Sequence, residues 1–428
     1  MKARSRVLLL AAVFSTSLGV GLIFGFESPL IAVVLSRAGH SNFVVGAVNA
    51  VSLVAVIVIG PAYPSVIARL GLTRSIIAGV CGGTVLLAFM PWWPTVPMWV
   101  VLRILTGMAL GLTWIASEVW MNRVAGDASR GAVMGVYGTV FSIGTVAGPL
   151  LLEVTGTRGW QPFLIGAACL LATLLPLLLL HRSLRAGLVA AQGVSTAAAQ
   201  GVSNAAAPDA GAVVQDPGVA ARARPVPAFL LPGFFLRAPV ILLAALVAGL
   251  VESADLSLLP LYGLNAALSE RAAVWLIAAF LAGNVVLQLP VGLLADRFGR
   301  RRLLGLCALT SGIGPLLLPA SLATPALLWP LLFVWGGTLY AFYSQGIALL
   351  GEEFAAADLA AANTLFVMVY CCGGVLGPSL GGLVMDLWPR HGLPALLSAA
   401  ALSLVAGLLI ARGQGPGRST RRAPHGVG

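Results

Sequence analysis

Gly292-Leu293-Leu294-Ala295-Asp296-Arg297-Phe298-Gly299-Arg300-Arg301 joins two long apolar runs and places four charges within ten residues. Charged residues make up only 9% of the chain, so this density marks a point where the polypeptide leaves an apolar phase and re-enters it. A worn copy, Pro64-Ser65-Val66-Ile67-Ala68-Arg69-Leu70-Gly71-Leu72-Thr73-Arg74, lies earlier, with Arg69-Leu70-Gly71 falling 228 residues before Arg297-Phe298-Gly299. Glu27-Ser28 falls on Glu252-Ser253 and Gly148-Pro149 on Gly377-Pro378, so three landmarks recur in one order at offsets of 225 to 229. Shared hydrophobicity does not produce that register; a tandem repeat does.

Working outward, the 428 residues are 59% hydrophobic, and the mean hydropathy is +0.98. A soluble domain carries about a quarter charged residues, so this surface belongs in lipid. Apolar windows bounded by Pro, Gly and charge predict spans 1 to 6 near residues 7–35, 43–69, 75–91, 98–121, 131–152 and 162–180. Spans 7 to 12 follow near 238–262, 272–295, 303–319, 326–350, 360–385 and 394–411. The first run lacks a signal-peptidase site and reads as an uncleaved helix. The expected fold is an all-α membrane protein of twelve transmembrane helices in two pseudo-symmetric six-helix bundles, residues 1–182 and 237–428. Residues 183–236 are Ala/Gly/Pro-rich and aperiodic, and read as a flexible cytoplasmic linker.

Arginine supplies the orientation. With the N-terminus inside, the internal segments hold 20 of the 25 basic residues, so both termini and the linker are expected in the cytoplasm of a plasma membrane, the inner membrane of a bacterium. The net charge of +11 is then a topology signal, and no nucleic-acid partner is expected. The one lysine, Lys2, rules out a P-loop. The four histidines and five cysteines show no metal or disulfide spacing, so no metal or cofactor is expected and the chain does not read as an enzyme. A proton gradient is the expected energy source.

The repeat and its loop resemble the major facilitator superfamily. The 292–301 segment is a near-complete match to that family's loop signature, whereas the first-half copy has Pro64 and Ala68 where Gly and Asp are expected. Arg103-Ile104-Leu105-Thr106-Gly107 and Gly144-Thr145-Val146-Ala147-Gly148-Pro149 resemble motifs of its twelve-helix drug/proton antiporter branch. The fuller form of the second motif is Gly373-Gly374-Val375-Leu376-Gly377-Pro378-Ser379-Leu380-Gly381-Gly382. The resemblance implies alternating access between two halves. It also implies a gating loop of Gly292, Asp296, Arg297, Gly299 and Arg300, with Asp296 capping the start of span 5 around Arg130-Gly131. Ala68 cannot make the equivalent contact. Arg301 and Arg302 read as topology signals. Gly144, Gly148, Pro149, Gly373, Gly377 and Pro378 are expected to form close packing surfaces, with a hinge role implied only by the resemblance.

Charge inside a span is costly unless paired or facing a cavity. Glu27, Arg103, Glu252 and Asp255 all fall roughly 8–15 Å below the outer helix ends at 1.5 Å per residue, on spans that line the cavity in that superfamily. Trp114 and Glu118 share a face with Arg103, and Trp335, Tyr340 and Tyr343 offer an aromatic wall on span 10. Glu118, next to Arg123, reads as an interfacial ion pair. Three crowded acids and one base would carry −2, so protons are expected to bind there. Glu27 or a span 7 acid would exchange a proton as substrate leaves. The competing reading is a structural Arg103–Glu27 pair.

The sequence therefore predicts a secondary active transporter, proton-coupled and exporting a small organic solute, drug-like or metabolite, as a monomer. Its proton and substrate cavity would comprise Glu27, Arg103, Trp114, Glu252, Asp255, Tyr340 and Tyr343. A sugar or metabolite symporter or facilitator is the alternative, with Asn284 and Gln288 as hydrogen-bonding groups. A non-transporting receptor or scaffold acting through the linker is the alternative of another class. Deleting residues 190–225 separates these classes: a carrier retains solute uptake in proteoliposomes, and a linker-signalling scaffold loses its function.

Overall fold

The computed structural model describes residues 3–124, 130–179, 237–354 and 356–413, and the side chains of these except at 3–10, 122–135, 356–361 and 412–413. Twelve helices among them are long and apolar enough to cross a membrane. They are α1 (Ala3–Arg37), α2 (Asn42–Leu70), α3 (Leu72–Phe89), α4 (Val96–Val124), α5 (Arg130–Thr155) and α6 (Gln161–Leu179). The second six are α7 (Pro239–Asn265), α8 (Glu270–Phe298), α9 (Arg300–Ser321), α10 (Pro325–Glu353), α11 (Ala356–Leu387) and α12 (Gly392–Gly413). All twelve predicted spans are present, most running a few residues beyond their apolar windows because charged end residues continue the helix into the interface. The predicted linker at 183–236 lies outside the described residues.

An even number of crossings in each half brings α1 and α12 to one end, here the tail end; the α1–α2 and α7–α8 turns lie at the opposite, far end. Two helix joints at the tail end show the repeat in backbone form. Gly71 links α2 to α3 with φ 80°, and Gly299 links α8 to α9 with φ 90°. A Cβ strongly disfavours that conformation, which is why glycine survives at both positions even though the first copy of the loop has decayed around it. Within α2, Pro61 and Pro64 coincide with a one-turn 3₁₀ segment at Gly60–Ala62, since proline supplies no amide hydrogen for the α-helical ladder.

Each half is built on one very close helix pair. Added Cβ atoms at Gly144 and Gly148 would run into the α1 backbone at Leu18, Leu22 and Gly25, and those at Gly373 and Gly377 into the α7 backbone at Leu246 and Leu250. Gly21 and Gly25 of α1 press equally closely on Phe141 and Thr145 of α5. The glycine motifs are therefore the contact surfaces of α5 on α1 and of α11 on α7, both within a half. In lipid, where burial of apolar surface drives little helix association, such backbone proximity supplies dispersion contacts that larger residues would prevent. Pro149 and Pro378 sit inside continuous helices beside these contacts.

Between the halves, α1 meets α7, α2 meets α11 and α5 meets α8. Overpacking a tight site costs about 1–3 kcal/mol, so Gly377→Leu is expected to lower the melting temperature in detergent by several degrees. Gly292→Leu should leave it nearly unchanged, because a Cβ there meets nothing within 4 Å. Equal melting temperatures for the two variants would contradict the packing assignment.

Candidate functional site: a cavity between the halves

A cavity of ≈ 540 Å³ lies between the two halves. On α1 it is lined from Val20 to Ser28, nine residues short of Arg37, which leaves about 13 Å of packed helix toward the far end at 1.5 Å per residue. In the other direction it continues to Glu118, Tyr137 and Asn363, near the tail end.

The first-half wall is organised by a buried ion pair. Arg103 Nη1 lies 2.7 Å from Glu27 Oε2, with side chains only 6% and 3% exposed. The second guanidinium nitrogen, Nη2, donates to the Asn49 carbonyl at 3.0 Å and to Ser52 Oγ at 2.9 Å. Asn49 Nδ2 in turn donates to the Ser28 carbonyl at 3.3 Å. One arginine on α4 thus ties α1 and α2 together. Glu27 Oε1 and Arg103 Nε have no hydrogen-bond partner among the described residues, so the pair is not fully satisfied. The structural pairing foreseen for Arg103 and Glu27 is present, and both residues also line the cavity.

The second-half wall is arranged differently. The glycine contacts set α1 and α7 in register at an offset of 228, Leu18 on Leu246 and Leu22 on Leu250, so Glu27 falls on the buried Asp255 and not, as the sequence match suggested, on Glu252. Glu252 lines the cavity; its Oε2 accepts a hydrogen bond from Tyr370 Oη at 2.8 Å and no basic group among the described residues pairs with it. Leu331 and Leu332 stand at the repeat offset from Arg103, so the second half has no counterpart of that cation. The aromatic residues, by contrast, obey the repeat. Trp114 and Phe141 correspond to Tyr343 and Tyr370 at an offset of 229. The first pair stacks at 6.4 Å between ring centroids and 21° between planes; the second meets edge to face at 5.1 Å and 70°. The cavity therefore has matched aromatic walls and unmatched charges.

Of the expected cavity residues, Glu27, Arg103, Trp114, Glu252, Tyr340 and Tyr343 line it. Asp255 does not. It is 0% exposed, and neither carboxyl oxygen has a hydrogen-bond partner among the described residues. Three residues carry it about 60° around the helix from Glu252, enough to turn it out of the lining. Trp335 is likewise no part of the aromatic wall: it is fully buried against Phe280, 5.1 Å away, because five residues rotate it to the other side of α10 from Tyr340. Glu118 is not confined to the interface. It lines the cavity and accepts from Trp114 Nε1 at 2.8 Å. Tyr370 and Phe141 were missed, although their shared repeat offset was a readable signal.

The loop at the tail end makes its contacts within its own half. Asp296 is 68% exposed and pairs with Arg300 at 3.3 Å. Arg300 reaches Glu352 at 3.5 Å, and Arg301 reaches Glu353 at 3.4 Å. Arg297 lies over the Phe298 ring, and Gly292 and Gly299 have open space around them. The expected partner of Asp296, at Arg130-Gly131, has side chains outside the described residues.

Two six-helix halves around a central, partly charged cavity are the architecture of a membrane carrier. The family profile described as Major Facilitator Superfamily matches residues 9–274 and 241–426, and the chain belongs to that superfamily. It is similar to the uncharacterized MFS-type transporter YfkF of Bacillus subtilis (strain 168), at 23% identity over 90% of this chain and 92% of the relative. The uncharacterized MFS-type transporter YcaD of Escherichia coli O45:K1 (strain S88 / ExPEC) is also 23% identical, over 96% of both chains. Among solved structures, a bacterial homologue of the human lysosomal transporter Spinster, inward-facing and unoccupied, superposes with a TM-score of 0.70 at 14% identity, over 96% of this chain and 94% of that one. The nucleoside transporter NupG gives 0.67 at 15% identity, over 96% and 99%. These likenesses show the fold; membership of the superfamily makes the protein a multi-pass membrane transporter of small molecules.

Removing one member of a buried ion pair strands the other, at a cost of about 3–5 kcal/mol. Arg103→Met is therefore expected to depress the melting temperature strongly, and adding Glu27→Gln to recover much of the loss. A double-mutant cycle on melting curves checks this, and additive losses would mean the two residues do not act as a pair.

Proposed function

We propose that this carrier is a proton-coupled exporter of small organic solutes, with a preference for cations carrying an aromatic or apolar body. Glu252 is the group that exchanges the proton. The observation behind the assignment is the broken symmetry of the two walls. Glu27 is held by Arg103 at 2.7 Å, whereas Glu252, on the opposite wall, faces the cavity with a tyrosine hydroxyl and no basic group as partner among the described residues. A carboxylate already neutralised by arginine gains little from a proton or a cation. One without such a partner, bordered by low-dielectric walls, binds either strongly and both at once poorly, since charge interactions grow as the dielectric falls. Competition for one carboxylate is a sufficient coupling device: a proton arriving from one side expels the cation, and a cation arriving from the other expels the proton.

The matched aromatic walls supply the remaining recognition. Rings attract cations through their faces, by roughly 0.5–2 kcal/mol each depending on desolvation, and offer apolar area without selecting a particular shape. Export is proposed together with an orientation that turns the cavity toward the cytoplasm. Twenty of the 25 basic residues sit in segments on the tail side, so the positive-inside rule places that end in the cytoplasm of the plasma membrane. The cavity reaches toward that end in this conformer. The transporting unit is the monomer, because the cavity is complete within one chain.

Reconstitution into proteoliposomes tests the assignment. With an imposed pH gradient, ethidium or tetraphenylphosphonium should be transported by the wild type and at least tenfold more slowly by Glu252→Gln. Exchange of labelled for unlabelled cation without a gradient should slow as well, because the neutral amide lacks the charge that holds the cation. Undiminished gradient-driven transport by Glu252→Gln would overturn the role of Glu252. Transport of uridine or xylose in place of the cations would redirect the substrate class to neutral solutes.

A further inference from the structure

Among the described residues, every hydrogen bond and ion pair recorded between the two halves lies at the far end. There are two clusters, the first joined also by Asn265 Nδ2 donating to Asn42 Oδ1 at 3.1 Å and the second flanked by an Arg271–Glu153 ion pair. In the first, Asp386 at the end of α11 receives the opening turn of α2. Its Oδ1 accepts from Asn42 N at 2.9 Å and Asn42 Nδ2 at 2.8 Å, and its Oδ2 accepts from Phe43 N at 2.9 Å. Ser41 Oγ takes the next amide, from Val44. Two amides at the positive end of an α2 that belongs to one half are thus satisfied by a carboxylate from the other, where both hydrogen bonding and the helix dipole favour a negative charge. In the second cluster Glu270, in the first turn of α8, accepts from Arg37 Nη2 and from Thr157 Oγ1, each at 2.7 Å, with Arg158 at 3.9 Å.

The two clusters are repeat-related. Asp386 falls on Thr157, and Glu270 falls on Asn42, at offsets of 229 and 228. Ser269 caps α8 as Ser41 caps α2. The same junction, the end of one helix against the start of another across the halves, has been closed twice with the acid on opposite partners. Glycine lets the first junction close: Gly382 of α11 lies against the Asn42 carbonyl, and Gly46 of α2 against the Pro378 carbonyl.

We propose that Asp386 and Glu270 are paired latches that hold the far end shut and set the resting conformer of the carrier. Each is a carboxylate on one half engaging donors on the other, so rocking of the halves that opens the far end must break both sets. The contacts lie outside the cavity and involve none of the residues assigned to substrate or proton. The latches therefore shift the balance between conformers without altering the binding site, whether or not Glu252 exchanges a proton. Removing the negative charge while keeping side-chain shape, as in Asp386→Asn and Glu270→Gln, should weaken each latch.

Distance measurement between spin labels by pulsed electron paramagnetic resonance tests this on the full chain in nanodiscs. Labels are placed at Thr95 and His391, exposed far-end positions on the two halves, after replacement of the five native cysteines. The wild type should give one short-distance population. Asp386→Asn/Glu270→Gln should add a longer one, at several times any wild-type fraction, and each single variant should give a smaller shift in the same direction. Asp386→Glu, which restores the charge, should return the distribution toward wild type. If the double variant does not fold, the single variants carry the test. An unchanged distribution in folded variants, with the short population intact, would overturn the proposal.

Discussion

A charge held inside an apolar slab has to be paired, and the Arg103–Glu27 contact shows what that requirement does to a carrier. The two side chains meet at 2.7 Å with almost no exposure, and Arg103 spends its remaining reach on α2 through Asn49 and Ser52. Desolvating two ions is expensive even when they attract, so the pair contributes less to net stability than to the fixed placement of three helices. Its second effect is on the opposite wall. By engaging Glu27 it leaves Glu252 as the cavity-lining acid of that layer without a basic partner among the described residues, and so converts a symmetric scaffold into an asymmetric site.

The two kinds of helix contact divide the labour in the same spirit. Inside each half, α1 on α5 and α7 on α11 touch backbone to backbone through glycine. Such surfaces have no long side chains to rearrange, so they resist sliding. Across the halves at the far end, the contacts are carboxylates on helix starts, threonine and arginine. Bonds of that kind can be exchanged for water with modest loss. Two bodies that are stiff internally and reversibly joined to each other are what rigid-body rocking needs.

Much of this was legible in the amino-acid order, for reasons that differ by residue. The twelve spans and the repeat followed from hydropathy and from the register of Arg69, Gly148 and their later copies, whereas the match of Glu27 to Glu252 was three residues out of the structural register. Glu27 and Arg103 stood out because an intramembrane charge has few innocent explanations. Asp255 and Trp335 were misplaced because depth along a helix was readable and azimuth was not. A rotation of 100° per residue decides which side of a buried helix a group faces, and all sides of these helices are apolar. Asp386 and Glu270 were invisible for another reason. They lie at helix ends, where acids are unremarkable, and acquire meaning only once α2 is known to start beside the end of α11. Three of the four arginines of the outer loops, Arg37, Arg158 and Arg271, were the available hint, Arg390 being the fourth. Each of the three now has an acidic partner, Glu270 or Glu153.

The one-residue joints at Gly71 and Gly299 carry a mechanical consequence. Consecutive Cα atoms are 3.8 Å apart, so the two steps of each joint keep the end of α8 within about 7 Å of the start of α9, and the end of α2 as close to the start of α3. Such a link transmits displacement almost without slack while leaving the angle between its helices adjustable about one backbone position. Each joint therefore behaves as a knuckle. Whatever tilts α2 or α8 against the other half hauls α3 or α9, on the outer flank of the bundle, along with it. Movement that begins at the interface between halves thus reaches the lipid-facing side, and the surrounding bilayer becomes part of the load the carrier moves.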